Sequence, residues 1–302
     1  MKTQITTIAA AVAFAMSTAA FAQYSVGSDS SIYQNGNGNT NDVTQWGTQK
    51  SRIHQEGNSN SATVTQDDIV GFSTYAPGQN DSNIEQTADG NEAVVDQVGA
   101  YNVSGIYQES DDNVANVSQD GKKNDSYVKQ SWGTGNEADV AQTGWHNDSV
   151  VEQRGSFNTA NVAQDGFKND SWVDQSGINN EANVDQSGSN NESGIQQSGF
   201  FGGFDNLASV EQNGDDNESW IEQYGGSNAD SVIQNGDYLD STILTFGFNN
   251  SSTVEQSGMY SDSYIKTVGS YNTNDVTQVG LSHNSTIYTF GSGNTNTVSQ
   301  GQ

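Results

Sequence analysis

The sequence predicts an all-β protein: a two-sheet parallel β-solenoid of about twelve strand-turn-strand rungs with cross-β stacking. Asn, then Ser or Ala, then Val or Ile, then Gln recur two residues apart. This spacing places all four side chains on one face of an extended strand, which no helix can do. The pattern returns about every eleven residues, with Ser and Ala versions alternating, so the full repeat is about 22 residues.

The composition is polar for a folded chain of 302 residues. Only 31% of the residues are hydrophobic, against about 45–50% in typical globular domains. Composition alone favours disorder, but a disordered polar chain does not hold an eleven-residue phase over most of its length. The chain has no cysteine, so its stability outside the cell must come from backbone pairing rather than disulfides.

The chain is strongly acidic, with 9 basic and 37 acidic residues and a net charge of −28. This charge argues against nucleic acid or an anionic membrane surface as a partner. No zinc spacing links His54, His146 and His283, and we find no catalytic triad or phosphate loop. We therefore expect no enzyme activity and no cofactor, metal or catalytic site.

Residues 1–22 have the features of a signal peptide. Lys2 precedes the apolar run Ile8–Met16, and a small-x-small motif places cleavage between Ala22 and Gln23. The run is too short for a membrane anchor, and no later segment is suited to membrane insertion. We expect export through the periplasm, a short N-terminal segment at residues 23–29 and a repeat solenoid at residues 30–302.

A β-branched residue marks each of 24 predicted strands. Gln follows two residues later in 21 of them, and Thr does so in the other three, at Thr245, Thr267 and Thr289. The β-branched positions are Ile32, Val43, Ile53, Val64, Ile84, Val95, Ile106, Val117, Val128, Val140, Val151, Val162, Val173, Val184, Ile195, Val210, Ile221, Val232, Ile243, Val254, Ile265, Val276, Ile287 and Val298.

In a parallel stack, each strand lies on a strand of its own class, so Ser149 lies beside Ser171. An antiparallel meander would pair Ser strands with Ala strands, and we favour the stack. Inward amide ladders would then hold neighbouring rungs together. The central ladder positions are Asn147, Ser149, Val151, Gln153, Asn158, Ala160, Val162, Gln164, Asn169, Ser171, Val173 and Gln175, and the turn glycines are Gly144, Gly155, Gly166 and Gly177.

Two breaks in the phase predict insertions, near residues 67–79 and 200–205. The first contains the only proline, Pro77, as expected of a residue that cannot donate to a strand ladder.

The outward positions carry carboxylates and aromatic rings. Stacked carboxylates repel each other, so we expect the acidic face to restrain stacking. The aromatic residues are candidates for lateral packing or adhesion, although aromatic rings also favour sheet surfaces generally. The acidic positions are Asp125, Glu137, Asp148, Asp170, Glu181 and Glu192, and the aromatic ones are Tyr127, Trp172, Trp220 and Tyr264.

The first and last predicted strands, near Ser30 and Asn294, leave little room for capping units. Soluble solenoids carry such caps. Two open edges of similar pattern favour head-to-tail addition of further copies, which does not close and therefore produces a fibre.

The spacing Ser-x3-Gln-x-Gly-x-x-Asn-x-Ala-x3-Gln, from Ser149 to Gln164 and from Ser171 to Gln186, resembles the curlin repeat. Curlins are secreted subunits of curli, the bacterial amyloid fibres of the biofilm matrix. The resemblance implies a homopolymer, a nucleator subunit, and a curli-type outer-membrane secretion pore with chaperones. It also implies an extracellular fibre at the cell surface that serves adhesion.

Asn before the Ser strands, as at Asn147, is closer to the minor, nucleating subunit, whereas the regular final repeat favours the major subunit. We expect the major subunit and keep the nucleator as an alternative. A calcium-binding β-roll adhesin is a further alternative, but Gly-Gly-x-Gly-x-Asp turns are absent. An ice-binding solenoid would need an outward Thr ladder that the acidic faces lack.

Overall fold

The computed structural model describes residues 27–68, 79–199 and 203–301, and these ranges are all-β. The strands are β1 (Asp29–Asn35), β2 (Thr40–Trp46), β3 (Lys50–Glu56), β4 (Ser61–Asp67), β5 (Asp81–Gln86), β6 (Glu92–Ala100), β7 (Val103–Gln108), β8 (Val114–Lys122), β9 (Asp125–Ser131), β10 (Glu137–Trp145), β11 (Asp148–Ser156), β12 (Thr159–Phe167), β13 (Asp170–Ile178), β14 (Glu181–Ser189), β15 (Glu192–Ser198), β16 (Gly203–Phe204), β17 (Leu207–Asp215), β18 (Glu218–Gly226), β19 (Ala229–Asp237), β20 (Asp240–Phe248), β21 (Ser251–Met259), β22 (Asp262–Ser270), β23 (Thr273–Leu281), β24 (Asn284–Ser292) and β25 (Thr295–Gly301). The predicted signal peptide, its cleavage site at Ala22 and Gln23, and Pro77 lie outside the described residues.

The strands alternate between two parallel sheets. Sheet A has the order β1-β3-β5-β7-β9-β11-β13-β15-β18-β20-β22-β24, and sheet B has the order β2-β4-β6-β8-β10-β12-β14-β17-β19-β21-β23-β25. β11 pairs in parallel with β9 and β13, so an antiparallel meander is excluded. The predicted two-sheet parallel β-solenoid of about twelve rungs is confirmed.

Neighbouring rungs stack in register, with like residues on like. Ser149 pairs with Ser171 and Val151 with Val173 in sheet A, and Ala160 pairs with Ala182 in sheet B. The Val and Ile rows of the two sheets form one continuous core. Only at the two ends, at Ile32, Val43 and Val298, are these residues partly exposed.

At most corners the chain turns through a glycine followed two residues later by a left-handed residue. Gly144 has φ of 110°, and His146 has φ of 60°. A Cβ on Gly144 would lie 2.1 Å from the Gly166 oxygen of the next rung, so glycine is required by both backbone angle and space. The predicted turn glycines therefore lie at the corners, but within the last residues of the strands.

Two residues of the predicted insertion near residues 200–205 belong to sheet A. Gly203 and Phe204 form β16, which joins sheet A between β13 and β18. Gly203 pairs with the corner glycine Gly177, so β16 restores the phase of the rung. This strand accounts for the difference between the 24 predicted strands and the 25 described. Residues 200–202 and 69–78 lie outside the described residues.

A search for membrane-spanning helices over the same described ranges finds none of sufficient length and apolar character.

Candidate functional site: the stacked amide ladders and the faces of the solenoid

Buried glutamine side chains form two ladders along the stacking axis. In sheet A, Gln153 Nε2 donates to Gln175 Oε1 at 2.9 Å, and Gln175 donates to Gln197 at 2.9 Å. The same Nε2 of Gln153 also donates to the backbone oxygens of Glu137 and Asn158 in the opposite strand and corner. Each glutamine thus joins its own rung internally and bonds to the next one.

The sheet B ladder is unbroken over the described residues, whereas the sheet A ladder stops at Gln223. Its members, each donating to the next, are Gln45, Gln66, Gln97, Gln119, Gln142, Gln164, Gln186, Gln212, Gln234, Gln256, Gln278 and Gln300. Because every amide except those at the ends bonds on both sides, the ladder is fully satisfied only inside a stack.

Asparagine side chains form a further ladder at the corner before sheet B. Asn158 N donates to Asn136 Oδ1 at 3.1 Å, and Asn180 N donates to Asn158 Oδ1 at the same distance. This chain of bonds runs without a break from Asn39 to Asn294. At the other corner, before sheet A, Asn147 and Asn169 take the same role, but Leu239 and His283 interrupt the asparagines towards the C-terminal end.

The serine row of sheet A is buried but mostly without hydrogen bonds. Ser149 and Ser171 are 0% and 1% exposed, and neither hydroxyl has a partner among the described residues. Only near the two ends do serine hydroxyls bond each other, as Ser51 does with Ser30. Among the polar side chains at these rungs, the amides rather than the serines therefore form the hydrogen bonds between one rung and the next. The other unpartnered hydroxyls in this row are Ser82, Ser104, Ser126, Ser193, Ser219 and Ser241.

The last two rungs exchange large and small side chains across the core. Thr267 replaces a sheet A glutamine, and Asn274 replaces the sheet B alanine that faces it. Asn274 Nδ2 donates to Thr267 Oγ1 at 2.7 Å, and Thr289 Oγ1 donates to Asn274 Oδ1 at 2.6 Å. The replacement of Gln by Thr, visible in the sequence, is thus one half of a paired change that keeps the core hydrogen-bonded.

Asp230 lies where these two types of core meet. It occupies the alanine position of sheet B between Ala208 and Ser252 and is 3% exposed. Gln223 Nε2 donates to its Oδ2 at 2.9 Å. Burial raises the pKa of Asp230 to about 6, partly opposed by its polar contacts with Thr245 and Gln223. It is a carboxylate in a core that is otherwise built from neutral side chains.

Seven acidic residues, four of them among the predicted acidic positions, form one continuous row on sheet A. The row runs in register over seven rungs: Asp125, Asp148, Asp170, Glu192, Glu218, Asp240 and Asp262. Partial burial raises the pKa of Asp170, and the charges of Asp148 and Glu192 add to this rise. Burial likewise raises the pKa of Asp125, Asp148, Glu218 and Asp240. By contrast, Glu137 and Glu181 lie on sheet B, next to uncharged residues in register.

A few cations offset this repulsion locally. Arg154 bridges Glu152 of its own strand and Asp174 of the next rung, each at 2.9 Å. Lys50 Nζ lies 2.8 Å from Asp81 Oδ2 of the neighbouring rung. The positive charges therefore act between rungs, where they reduce repulsion along the stack.

The four predicted outward aromatic residues do not form one stripe. All four are half-buried, and the structure brings together only Trp172 and Trp220, whose rings stack at 5.4 Å. Tyr127 pairs with Tyr107 at 5.3 Å instead.

The two tryptophans touch because Gly194 lies between them. A Cβ on Gly194 would come within 2.2 Å of the Trp220 ring. Tyr264 pairs with Tyr288 at 5.6 Å. Tyr107 and Tyr288 lie two residues further along their strands than the predicted positions, and the period-two pattern of an outward face could have found them.

The titratable residues within the described ranges form no cluster suited to a metal ion. No group of three or more His, Cys, Asp or Glu residues there could hold a metal ion. His54 stacks on Tyr33, and His283 contacts the Val279 oxygen. The arrangement is suited to stacking further strands.

A scan of protein-family profiles matches the curlin-associated repeat at residues 110–144, 158–188 and 203–232. These segments include rungs of both classes, with the Gln ladders and corner asparagines described above. The chain contains curlin-associated repeats. A search of curated proteins found no match.

The curlin repeats indicate a fibre protein of the curli type. Curlins are structural subunits that assemble with their own kind, and they are secreted. The structure places the curlin ladder residues Asn147 to Gln175 on the inward face, buried and in register with the neighbouring rungs. The matched segments cover the middle of the solenoid, and the same geometry continues to both of its ends.

Proposed function

We propose that this curlin-repeat protein is the major subunit of an extracellular functional amyloid fibre, built by head-to-tail stacking of copies. The observation that carries the proposal is the in-register Gln and Asn ladders, whose members bond to rungs above and below. A rung buries few apolar side chains, so its stability depends on neighbours on both sides.

Assembly also needs a state in which the chain stays soluble. The net charge of −28 and the seven-rung acidic row keep separate chains apart at neutral pH. In this proposal the chain is exported through the periplasm after signal-peptide removal, passes a curli-type outer-membrane pore with chaperones, and is added to fibres at the cell surface. A nucleator subunit starts growth.

The fibre serves the biofilm matrix and adhesion to surfaces. The paired aromatic rings of sheet A, among them Trp172 and Trp220, are the candidates for contacts with other fibres or surfaces. Replacing Tyr127, Trp172, Trp220 and Tyr264 with Thr would leave fibre growth unchanged but reduce bundling and adhesion. Unchanged bundling and adhesion in this variant would remove that role.

The experiment that tests the subunit proposal is a growth assay on the purified chain from Gln23 onward. Electron microscopy should show unbranched fibres after a lag, and sonicated fibres added at a few per cent should abolish the lag. A chain that stays soluble alone but shortens the lag of another curlin, at substoichiometric amounts, would instead be a nucleator. The nucleator remains the second candidate because asparagine occupies the corner before sheet A, as in Asn147 and Asn169.

A calcium-binding β-roll adhesin makes a different prediction. Its circular dichroism spectrum would depend on calcium, whereas we expect the spectrum of this chain to be the same with calcium and with chelator.

A further inference from the structure

The first and last strands of sheet B carry nearly the same sequence. Residues 38–45 and residues 293–300 both follow the pattern Gly-Asn-Thr-Asn-x-Val-x-Gln. Gly38 and Gly293 also share a backbone angle, with φ of 72° and 71°. The two end strands therefore match each other in both side chains and corner geometry.

The asparagine at the second position distinguishes β2, β23 and β25 from the middle of the sheet, whereas the corner angle also occurs at Gly90 and Gly135. At the second position of the sheet B strands, the rungs from Ala62 to Ala208 all carry alanine. Asparagine occurs there only in Asn41, Asn274 and Asn296. In the last two rungs Asn296 Nδ2 donates to Asn274 Oδ1 at 2.8 Å, so these asparagines already form a short ladder.

The first rung leaves part of its core without partners. Val43 is only partly buried, as is Val298 at the other end. Asn41 Nδ2 donates to Gln55 Oε1 at 3.0 Å, but its Oδ1 is buried and has no hydrogen-bond partner among the described residues. A strand stacked on β2 in register would place an Asn296 side chain next to Asn41.

Charge also distinguishes the last rung. β24 and β25 contain no charged residue, and Asn284 ends the acidic row that runs through Asp262. The first rung carries Asp29 and Asp42. In a stack of copies, Asn284 would face Asp29 and Thr297 would face Asp42, so no like charges would meet at the junction.

We propose that the last rung of one copy stacks on the first rung of the next, with β25 in register on β2 as the continuous seam. Asn294 then lies on Asn39, Asn296 on Asn41, Val298 on Val43 and Gln300 on Gln45. The unbroken Gln and Asn ladders of sheet B continue into the next copy. Sheet A is less well matched, because Thr289 meets Gln34 there. The inference rests on the proposed head-to-tail function and specifies its register.

Cysteine cross-linking tests the register directly, because the chain has no cysteine of its own. Thr44 and Ser299 are exposed and occupy the fifth position of β2 and β25. In-register neighbours lie about 4.8 Å apart, which suits a disulfide. Fibres grown from a mixture of Thr44→Cys and Ser299→Cys chains, reduced and then mildly oxidised, should contain disulfide-linked pairs on a non-reducing gel.

The controls are Trp46→Cys mixed with Ser299→Cys, which is shifted by two residues, and each single variant alone. None should cross-link appreciably. Fibres in which the shifted pair links, or in which Thr44→Cys links to itself, would refute this junction while leaving head-to-tail or end-to-end assembly intact. A lack of fibres from the unmodified chain would refute the proposed function, and the junction with it.

A charge exchange gives a second readout if the cysteine variants grow poorly. Thr297→Asp should slow seeded growth several-fold, because it faces Asp42 of the next copy in addition to Asp275 of its own chain. Adding Asp42→Lys to the same chain should restore the rate. A rate that Asp42→Lys does not restore would place the two residues apart and overturn the register.

Discussion

Gln153 Nε2 lies 2.9 Å from Gln175 Oε1, and this buried bond joins two rungs that are 22 residues apart in the chain. The Ser149 and Ser171 hydroxyls, buried on the same two strands, have no partners. Two polar rows of the same sheet therefore differ in what they contribute. The amides carry the stacking interaction, and the serines fill space.

Replacing Gln175 with Ala should destabilise the fold strongly. The change leaves the Gln197 Oε1 atom and the Thr159 oxygen without their donor, at about 1–3 kcal/mol for each unsatisfied group. Ser171→Ala is the matched control and should change the free energy of unfolding by less than about 1 kcal/mol, because its hydroxyl makes no bond. Guanidinium titration followed by circular dichroism measures both, and equal losses would contradict the assignment.

The corner glycines should not tolerate a side chain. Gly166 has φ of 129°, and a Cβ there would lie 2.0 Å from the Gly188 oxygen. Gly166→Ala should therefore separate two rungs and lower the denaturation midpoint. Ser227 has φ of 55°, so Ser227→Gly should leave stability unchanged or raise it by up to about 1 kcal/mol. A tolerated Gly166→Ala would mean that the rungs do not stack this closely.

Asp230 should make the fold less stable at neutral pH than in mild acid. Its folded pKa of about 6 lies above the ordinary aspartate value of 3.8, so the penalty is complete above pH 6 and disappears as pH falls towards 4. The difference corresponds to about 3 kcal/mol. Asp230→Asn should raise the free energy of unfolding at pH 7.5 and have little effect at pH 4. The outward Asp275→Asn control should show no such step, and an equal step in both variants would argue against the role of burial.

The acidic row should make fibre growth faster in acid. Burial in the folded solenoid raises the pKa of Asp148 and Asp170, so the folded chain holds protons that the unfolded chain releases, and folding onto a fibre end strengthens as pH falls from 8 to 5. Added salt should also speed growth at pH 8. Asp148→Asn with Asp170→Asn should flatten both dependences in seeded growth assays. Glu255→Gln is the control, since its neighbours in register are Ile233 and Thr277; slower growth at pH 5 would contradict this account.

Gly194 should control the tryptophan pair. A Cβ at this position would collide with the Trp220 ring, so Gly194→Ala should separate the Trp172 and Trp220 rings and reduce their coupled near-ultraviolet circular dichroism. Gly301→Ala adds a methyl group whose nearest neighbour, the Val279 oxygen, is 3.8 Å away, and should leave the signal unchanged. If the near-ultraviolet signal survives Gly194→Ala, the stacking of the two tryptophan rings does not depend on the missing side chain at Gly194.

The repeat made the sheet order and the inward rows predictable. Once Ser149 and Ser171 share a phase, a parallel stack places them side by side, and period two decides which face is buried. The left-handed residues before the corner asparagines, such as His146 and Lys168, were not predictable, because residues of many types occupy that position. β16 was missed because two residues, Gly203 and Phe204, are too few to show a period.

Pairings across the core also escaped the sequence pattern. The exchange of Gln and Ala for Thr267 and Asn274 is visible only when the two sheets face each other. Asp125 and Glu137 occupy the same position in their strands, but Asp125 belongs to a continuous acidic row and Glu137 does not. The position alone did not reveal this difference, because it depends on which sheet each strand joins.

Fibre X-ray diffraction from aligned fibres of the chain tests the central claim most directly. Rungs stacked along the fibre axis predict a meridional reflection at about 4.7 Å and an equatorial reflection near 10 Å from the two facing sheets. Fibres that lack this pair of reflections, or that show the 4.7 Å spacing across the axis, would contradict assembly by stacking of rungs.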